Sequence, residues 1–161
     1  MKSLYKVDDP FMRFYYRFVY PNLTMIERGR TDELWKLIEG SLPGFVSLTW
    51  ERLCVLAIAY DAVAKDFYDC DRWWGKNVQG KFMEIDLVAQ TPDKSRLLVG
   101  ECKWSTVKDE AGLRKKLFAK ARLLPFYQGQ EIITVIAAKD FSGPTTGLTL
   151  EPARVLEVLR Q

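Results

Sequence analysis

Apolar residues in the first third of the chain recur with a helical period. Asp8-Asp9-Pro10 reads as a carboxylate cap followed by proline in a first turn. The segment FMRFYYRFVY then places Phe11, Phe14, Tyr15 and Phe18 along one stripe and should stop at Pro21. A second helix is predicted from Thr31, with Asp32 and Glu33 in its first turn, to about Glu39 before Gly40. A third, almost wholly apolar, runs from Phe45 to Val63. The pattern changes at FYDCDRWWGK, which reads as an aromatic strand, and residues 81–89 and 96–104 read as strands joined by the turn TPDKS. Asp109 to Leu124 is an amphipathic helix with Leu113, Leu117, Ala121 and Leu124 inward, ending at Pro125. Glu131 to Ala138 is a β-branched, continuous apolar strand of the kind covered on both faces. After the loop FSGPTTG the chain closes with a short helix from Pro152 to Leu159. Helices followed by strands with one crossover helix predict a single α/β domain, a mixed sheet flanked by helices. Residues 1–42 would form an N-terminal helical extension and 43–161 the core.

The two central strands carry charge where apolar residues are expected. By strict alternation Phe82, Glu84, Asp86 and Val88 share one face, and Leu97, Val99, Glu101 and Lys103 share a face on the next strand. A turn over Pro92 to Ser95 pairs residues whose numbers sum to 187, setting Asp86 opposite Glu101 and Glu84 opposite Lys103. Opposed carboxylates repel, and burial worsens the repulsion. A divalent cation bridging Asp86 and Glu101 would reverse its sign. The plainer reading is a solvated sheet face with a Glu84–Lys103 surface pair worth little. Two charged strands with matched facing favour the metal site.

Asp86, Glu101 and Lys103 resemble the PD-(D/E)xK signature of the restriction-endonuclease-like fold, with Ile85 standing where that pattern has proline. The resemblance implies phosphodiester hydrolysis of DNA with Mg²⁺ or Mn²⁺ held by Asp86, Glu101 and the backbone carbonyl of Cys102, Lys103 orienting the attacking water or stabilising the developing charge. It also implies a helical glutamate, for which Glu51 is the candidate, acting on a metal through water. Glu51 sits among Ser47, Leu48, Cys54 and Val55 on its helix, so a structural ion pair is an equal alternative. The succession DDPFMRFYYRFVYPN, WERLC, RWWGK, MEIDLVA and GECKW is similar to the C-terminal domain of archaeal and bacterial DEXX-box ATPases, long of unknown function and related to those nucleases. In that family the domain follows an ATPase module and a winged-helix segment. This chain starts about where the winged helix would end, which implies a separate short protein or a piece of a longer one. The implied partners are DNA, such an ATPase and possible self-association as a homodimer, since junction-acting relatives use two sites. The competing class is a non-catalytic module that binds DNA or protein.

Composition narrows the chemistry. With no histidine, Ser-His-Asp and Cys-His triads and histidine-held metals are excluded, leaving carboxylates and carbonyls, which suit Mg²⁺, Mn²⁺ or Ca²⁺. Cys54, Cys70 and Cys102 cannot all pair and form no CxxC, which favours free thiols in a reducing cytoplasm. The longest uninterrupted apolar run, Leu53 to Tyr60, is far short of a membrane span, and no signal-peptide core is present. The net charge of +3 says little, but residues 103–122 hold seven basic and two acidic side chains. Arg114, Lys115, Lys116 and Arg122 would lie outside the apolar stripe, where they could meet phosphates or merely be solvated. GKNVQGKF imitates a P-loop but has Phe82 for the required Ser or Thr and leads into a strand, so no ATP site is expected. Of Trp73 and Trp74, successive on a strand, one must face away from the other. Core packing explains most of the aromatics better than base stacking.

Overall fold

The computed structural model describes residues 9–60, 64–67 and 69–160. Asp8, Tyr68 and residues 61–63, which carry parts of the expected first cap, aromatic strand and third helix, lie outside them. Contacts divide the chain into an N-terminal unit, Met1–Thr49, and a C-terminal unit, Trp50–Gln161.

In the N-terminal unit, helix α1 (Pro10–Phe14) starts as its sequence requires, with the Asp9 carboxylate accepting the Met12 N–H at 2.8 Å and Pro10 in the first turn. The expected stop at Pro21 becomes a change of helix type. Tyr15–Val19 is a π-helical turn and Tyr20–Asn22 a 3-10 turn, and the path resumes as α2 (Leu23–Glu27). Proline cannot donate to the α-ladder and crowds the carbonyl four residues back, so the turns on either side widen and tighten around it. The Asn22 amide donates to the Phe18 carbonyl at 2.9 Å and satisfies one freed acceptor. Helix α3 (Thr31–Glu39) follows with the predicted bounds. Phe14, Phe18 and Phe45 stack at 5.2–5.9 Å between centroids, with Leu34 and Ile38 buried in the same cluster.

Helix α4 (Leu42–Tyr60) begins three residues earlier than its pattern suggested and contributes to both units. Among the described residues it is the one helix long and apolar enough to cross a membrane, because the Glu51-Arg52 pair that divides its apolar residues does not end the helix. Its last turns bury Trp50, Cys54, Ala57 and Ile58 in the core of the C-terminal unit.

That unit is a five-stranded mixed sheet in the order β1 (Asp71–Lys76), β2 (Phe82–Gln90), β3 (Arg96–Val107), β4 (Glu131–Phe141), β5 (Leu148–Leu150). The first three strands pair antiparallel, the last three parallel. Helix α5 (Glu110–Ala121) is the crossover from β3 to β4 and packs on one face, over Ile85, Leu97, Val99, Ile136 and Ala138. The end of α4 and α6 (Pro152–Leu159) cover the other, over Leu87, Leu98, Cys102, Val135 and Ala137. Four successive residues of β4, Val135 to Ala138, are therefore fully buried, alternating between the two cores as its apolar run required. Strand β5 was not anticipated: three residues are too few for a period-2 signal, and its edge position comes from parallel pairing with β4.

Candidate active site

The site begins with a defect in β2. Trp73 pairs with Ile85 and Asp71 with Val88, so one residue of β1, Arg72, faces two of β2, Asp86 and Leu87. This bulge shifts the alternation by one position. Ile85 consequently joins Leu97 and Val99 beneath α5, whereas Leu87, two residues on, packs toward α4 and α6. Strict alternation had placed Ile85 and Leu87 together and Glu84 on the face of Glu101 and Lys103. Both expectations are corrected by the bulge.

Register with β3 is as expected where the strands pair. Leu87 lies opposite Gly100 and Gln90 opposite Leu97, each pair summing to 187. Gly100 is needed here, since a Cβ on it would meet the Leu87 side chain at 2.7 Å. The paired ladder begins at Leu87, one residue after Asp86. Asp86 instead turns its carboxylate to the neighbouring strand and accepts the Cys102 N–H at 2.8 Å. A side chain thus replaces the main-chain partner at the point where the strands part.

Glu101 and Lys103 follow on β3. The Lys103 ammonium donates to Glu101 Oε1 at 2.5 Å, and Lys120 Nζ, from the last turn of α5, reaches Glu101 Oε2 at 3.4 Å and the Glu84 carbonyl at 3.2 Å. Glu84 itself pairs with Arg72, not with the expected Lys103, because the bulge turns it to the other face. Burial raises the pKa of Asp86, the Cys102 N–H opposes the rise, and the charges of Glu101 and Glu84 add to it against that of Lys103. Burial acts on Glu101 in the same sense, but its bonds and charge interactions with Lys103 and Lys120 overcome it and hold the carboxyl below its ordinary value. Burial would lower Lys103; Glu101 and then Asp86 more than offset it, and its pKa is raised.

Asp86, Glu101 and Lys103 are therefore close enough to perturb one another, as their spacing implied. Lys120 was missed as a member. Its signal was legible: it stands three residues after Leu117 and four before Leu124, on the inward half of α5. Glu51 sits half-buried on α4 near Cys102. The Cys102 thiol is pushed far up by its hydrogen bond to Cys54, then by burial, then by neighbouring charges that include Asp86 and Glu51. Of the proposed basic face, Lys115, Lys116 and Arg122 are exposed. Arg114 is not. It pairs with Glu110 and donates to the Thr134 carbonyl at 2.6 Å and the Leu148 carbonyl at 2.8 Å, while Thr146 donates to Glu110 at 3.1 Å. Arg114 ties α5 to β4 and β5, and its expected place on an outward DNA-binding face is withdrawn.

Among the described residues no three His, Cys, Asp or Glu side chains converge as a metal-holding group. The donors at hand are two carboxylates and the main chain of β3, an all-oxygen set. That fits the habit of Mg²⁺, which takes one or two protein carboxylates and keeps several waters.

Residues 15–115 match the family described as archaea bacterial proteins of unknown function. An uncharacterised protein of Methanocaldococcus jannaschii is 26% identical over 144 residues, covering 86% of this chain and 31% of that protein. The chain thus spans about a third of the length of the curated relative it matches. No solved structure matches it.

Proposed function

The chain belongs to that family of archaeal and bacterial proteins of unknown function, and from this premise we propose that it is a metal-dependent nuclease hydrolysing DNA phosphodiesters. The observation that carries the reading is the convergence of Asp86, Glu101, Lys103 and Lys120 where β2 and β3 separate. Asp86, Glu101 and the Cys102 carbonyl are the residues that would hold Mg²⁺ or Mn²⁺, with Glu51 as a more distant carboxylate. Bound there, the ion would polarise a phosphate oxygen and acidify a water. Lys103 and Lys120 would place positive charge beside the phosphate as negative charge grows on it. Asp86 is held in position by the Cys102 N–H, so its carboxylate needs no reordering to act. The greater length of the M. jannaschii relative is compatible with the domain working beside an ATPase and winged helix in a longer assembly.

A second reading has its own observation. Both Glu101 oxygens already face ammonium groups, which suits a non-catalytic module that keeps the fold for binding DNA or a protein. Cleavage assays on linear, flapped and branched DNA with Mg²⁺ or Mn²⁺ separate the two. The nuclease reading expects cleavage that Asp86→Ala abolishes and Lys103→Ala lowers about 10²- to 10³-fold, both without unfolding. Binding without cleavage on every substrate, with no anomalous manganese signal at Asp86 in crystals, would establish the binding module instead.

A further inference from the structure

The same bulge that re-aims Asp86 leaves one face of the β1–β2 hairpin uncovered. Trp74 pairs with Glu84 and Lys76 with Phe82, so these four side chains share a face, and the Arg72–Glu84 ion pair lies on it too. The opposite face holds Trp73, packed on Phe126 with rings 6.3 Å apart, and Met83, both against the α5 core. One tryptophan of the pair is structural. The other is not: Trp74 is 71% exposed and Phe82 77% exposed, among the most exposed of the large apolar side chains described.

The hairpin presenting them is stiff. Asn77 Oδ1 accepts the N–H groups of Gln79 at 2.9 Å and Lys81 at 3.1 Å, and Gly80 takes the left-handed conformation that closes the turn. The Val78 N–H donates to the Leu123 carbonyl at 3.1 Å, tying the turn to the end of α5. Charge on the exposed face is basic. Its carboxylate, Glu84, is already matched by Arg72, and Lys76 stands over the Phe82 ring at 5.9 Å with Lys81 exposed beside it. Two π faces flanked by ammonium groups complement a chain that alternates flat bases with phosphates. A duplex hides its base faces in the stack, whereas an unpaired strand offers them.

We propose that this face binds a single-stranded stretch of nucleic acid, bases stacking on Trp74 and Phe82 and phosphates meeting Lys76 and Lys81. Phe82 and Asp86 are four residues apart on β2, roughly 13 Å along the strand, but this face is turned opposite to Glu101 and Lys103. The inference rests on the hairpin alone and goes beyond the nuclease reading.

Binding is therefore measured without divalent ions, in chelator, by fluorescence anisotropy of a labelled oligothymidylate and of a blunt duplex. The intact chain should prefer the single strand. Trp74→Ala and Phe82→Ala should each weaken that binding roughly 5- to 150-fold and leave duplex binding unchanged, with Trp74→Phe restoring most of the loss. Lys76→Gln should reduce the salt dependence of single-strand binding by about one released ion's share. Binding is read without metal or cleavage, so a failed cleavage assay leaves this result standing. Unchanged affinity in both alanine variants, or equal losses on single strand and duplex, would overturn the proposal. So would a wild-type dimer in sedimentation that Trp74→Ala dissociates while oligothymidylate never binds, since the face would then belong to a second copy.

Discussion

At the first turn of α5, Glu110 and Arg114 meet beneath the helix; at its last turn, Lys120 reaches across to Glu101 on the sheet, with which Lys103 also pairs. Both clusters pair carboxylates with cations, yet their surroundings differ. The Glu110 and Arg114 side chains are 9% and 13% exposed, and partners from β4, β5 and the loop before β5 take up most of their remaining hydrogen-bonding positions. Lys103 and Lys120 are 43% and 39% exposed, and their contacts leave donors free to turn toward solvent or a ligand. The flat guanidinium fork suits the closed cluster, and flexible ammonium groups suit the open one. Ion pairs alone do not mark a functional site. Spare capacity beside a half-buried carboxylate such as Asp86 is what makes the open cluster the candidate.

Removing one partner from the closed cluster should have the largest effect. Arg114→Met leaves Glu110 buried and uncompensated, and thermal or urea unfolding should show a loss of about 3–5 kcal/mol. The double change with Glu110→Met should recover a large part of it. If the single variant were as stable as wild type, the contrast between the clusters would collapse. In the open cluster the expected loss is in chemistry: Lys103→Ala should lower cleavage of the best DNA substrate about 10²- to 10³-fold while moving stability by no more than about 1 kcal/mol. A variant that unfolds instead would make this cluster architectural too.

Gly100→Ala probes the join between β2 and β3 that sets Asp86 in place. The added methyl would collide with Leu87, so destabilisation of about 1–3 kcal/mol is expected, measurable by chemical unfolding. The smallest effect is in the pH dependence, where two carboxyls of one site should act with opposite sign. Asp86 is raised in the folded chain, so its ionised form costs stability above that pKa, and the cost is relieved as pH falls through it. Glu101 is lowered, so it contributes stability above its unfolded pKa and loses it as pH falls through the folded value. Asp86→Asn should therefore stabilise at neutral pH by an amount that shrinks on acidification. Glu101→Gln should destabilise at neutral pH, again by a shrinking amount. Thermal unfolding from neutral pH to about pH 4 checks both, and slopes of the same sign would refute the assignment.

Much of this was legible along the chain. The Asp9 cap, the bounds of α3 and α6, the doubly buried β4 and the inward stripe of α5 all follow from short-range rules about caps, prolines and apolar period. The hairpin register followed from turn chemistry: Asp93 accepts hydrogen bonds from Thr91 and from both the N–H and hydroxyl of Ser95. What failed was the assumption that alternation runs unbroken through β2. A bulge is a mismatch between two strands, and Arg72 facing two residues is visible only when β1 lies beside β2.

Local sequence therefore determined which residues became helix, strand and turn, and it brought Asp86, Glu101 and Lys103 into one neighbourhood, because caps, turns and periodicity act over a few residues. Tertiary structure decided their partners: Cys102 for Asp86, Lys120 for Glu101, Arg72 for Glu84, and the interior for Arg114. Each of those contacts joins different secondary-structure elements, and the direction of a side chain across such a gap depends on how the elements pack, which no local pattern encodes.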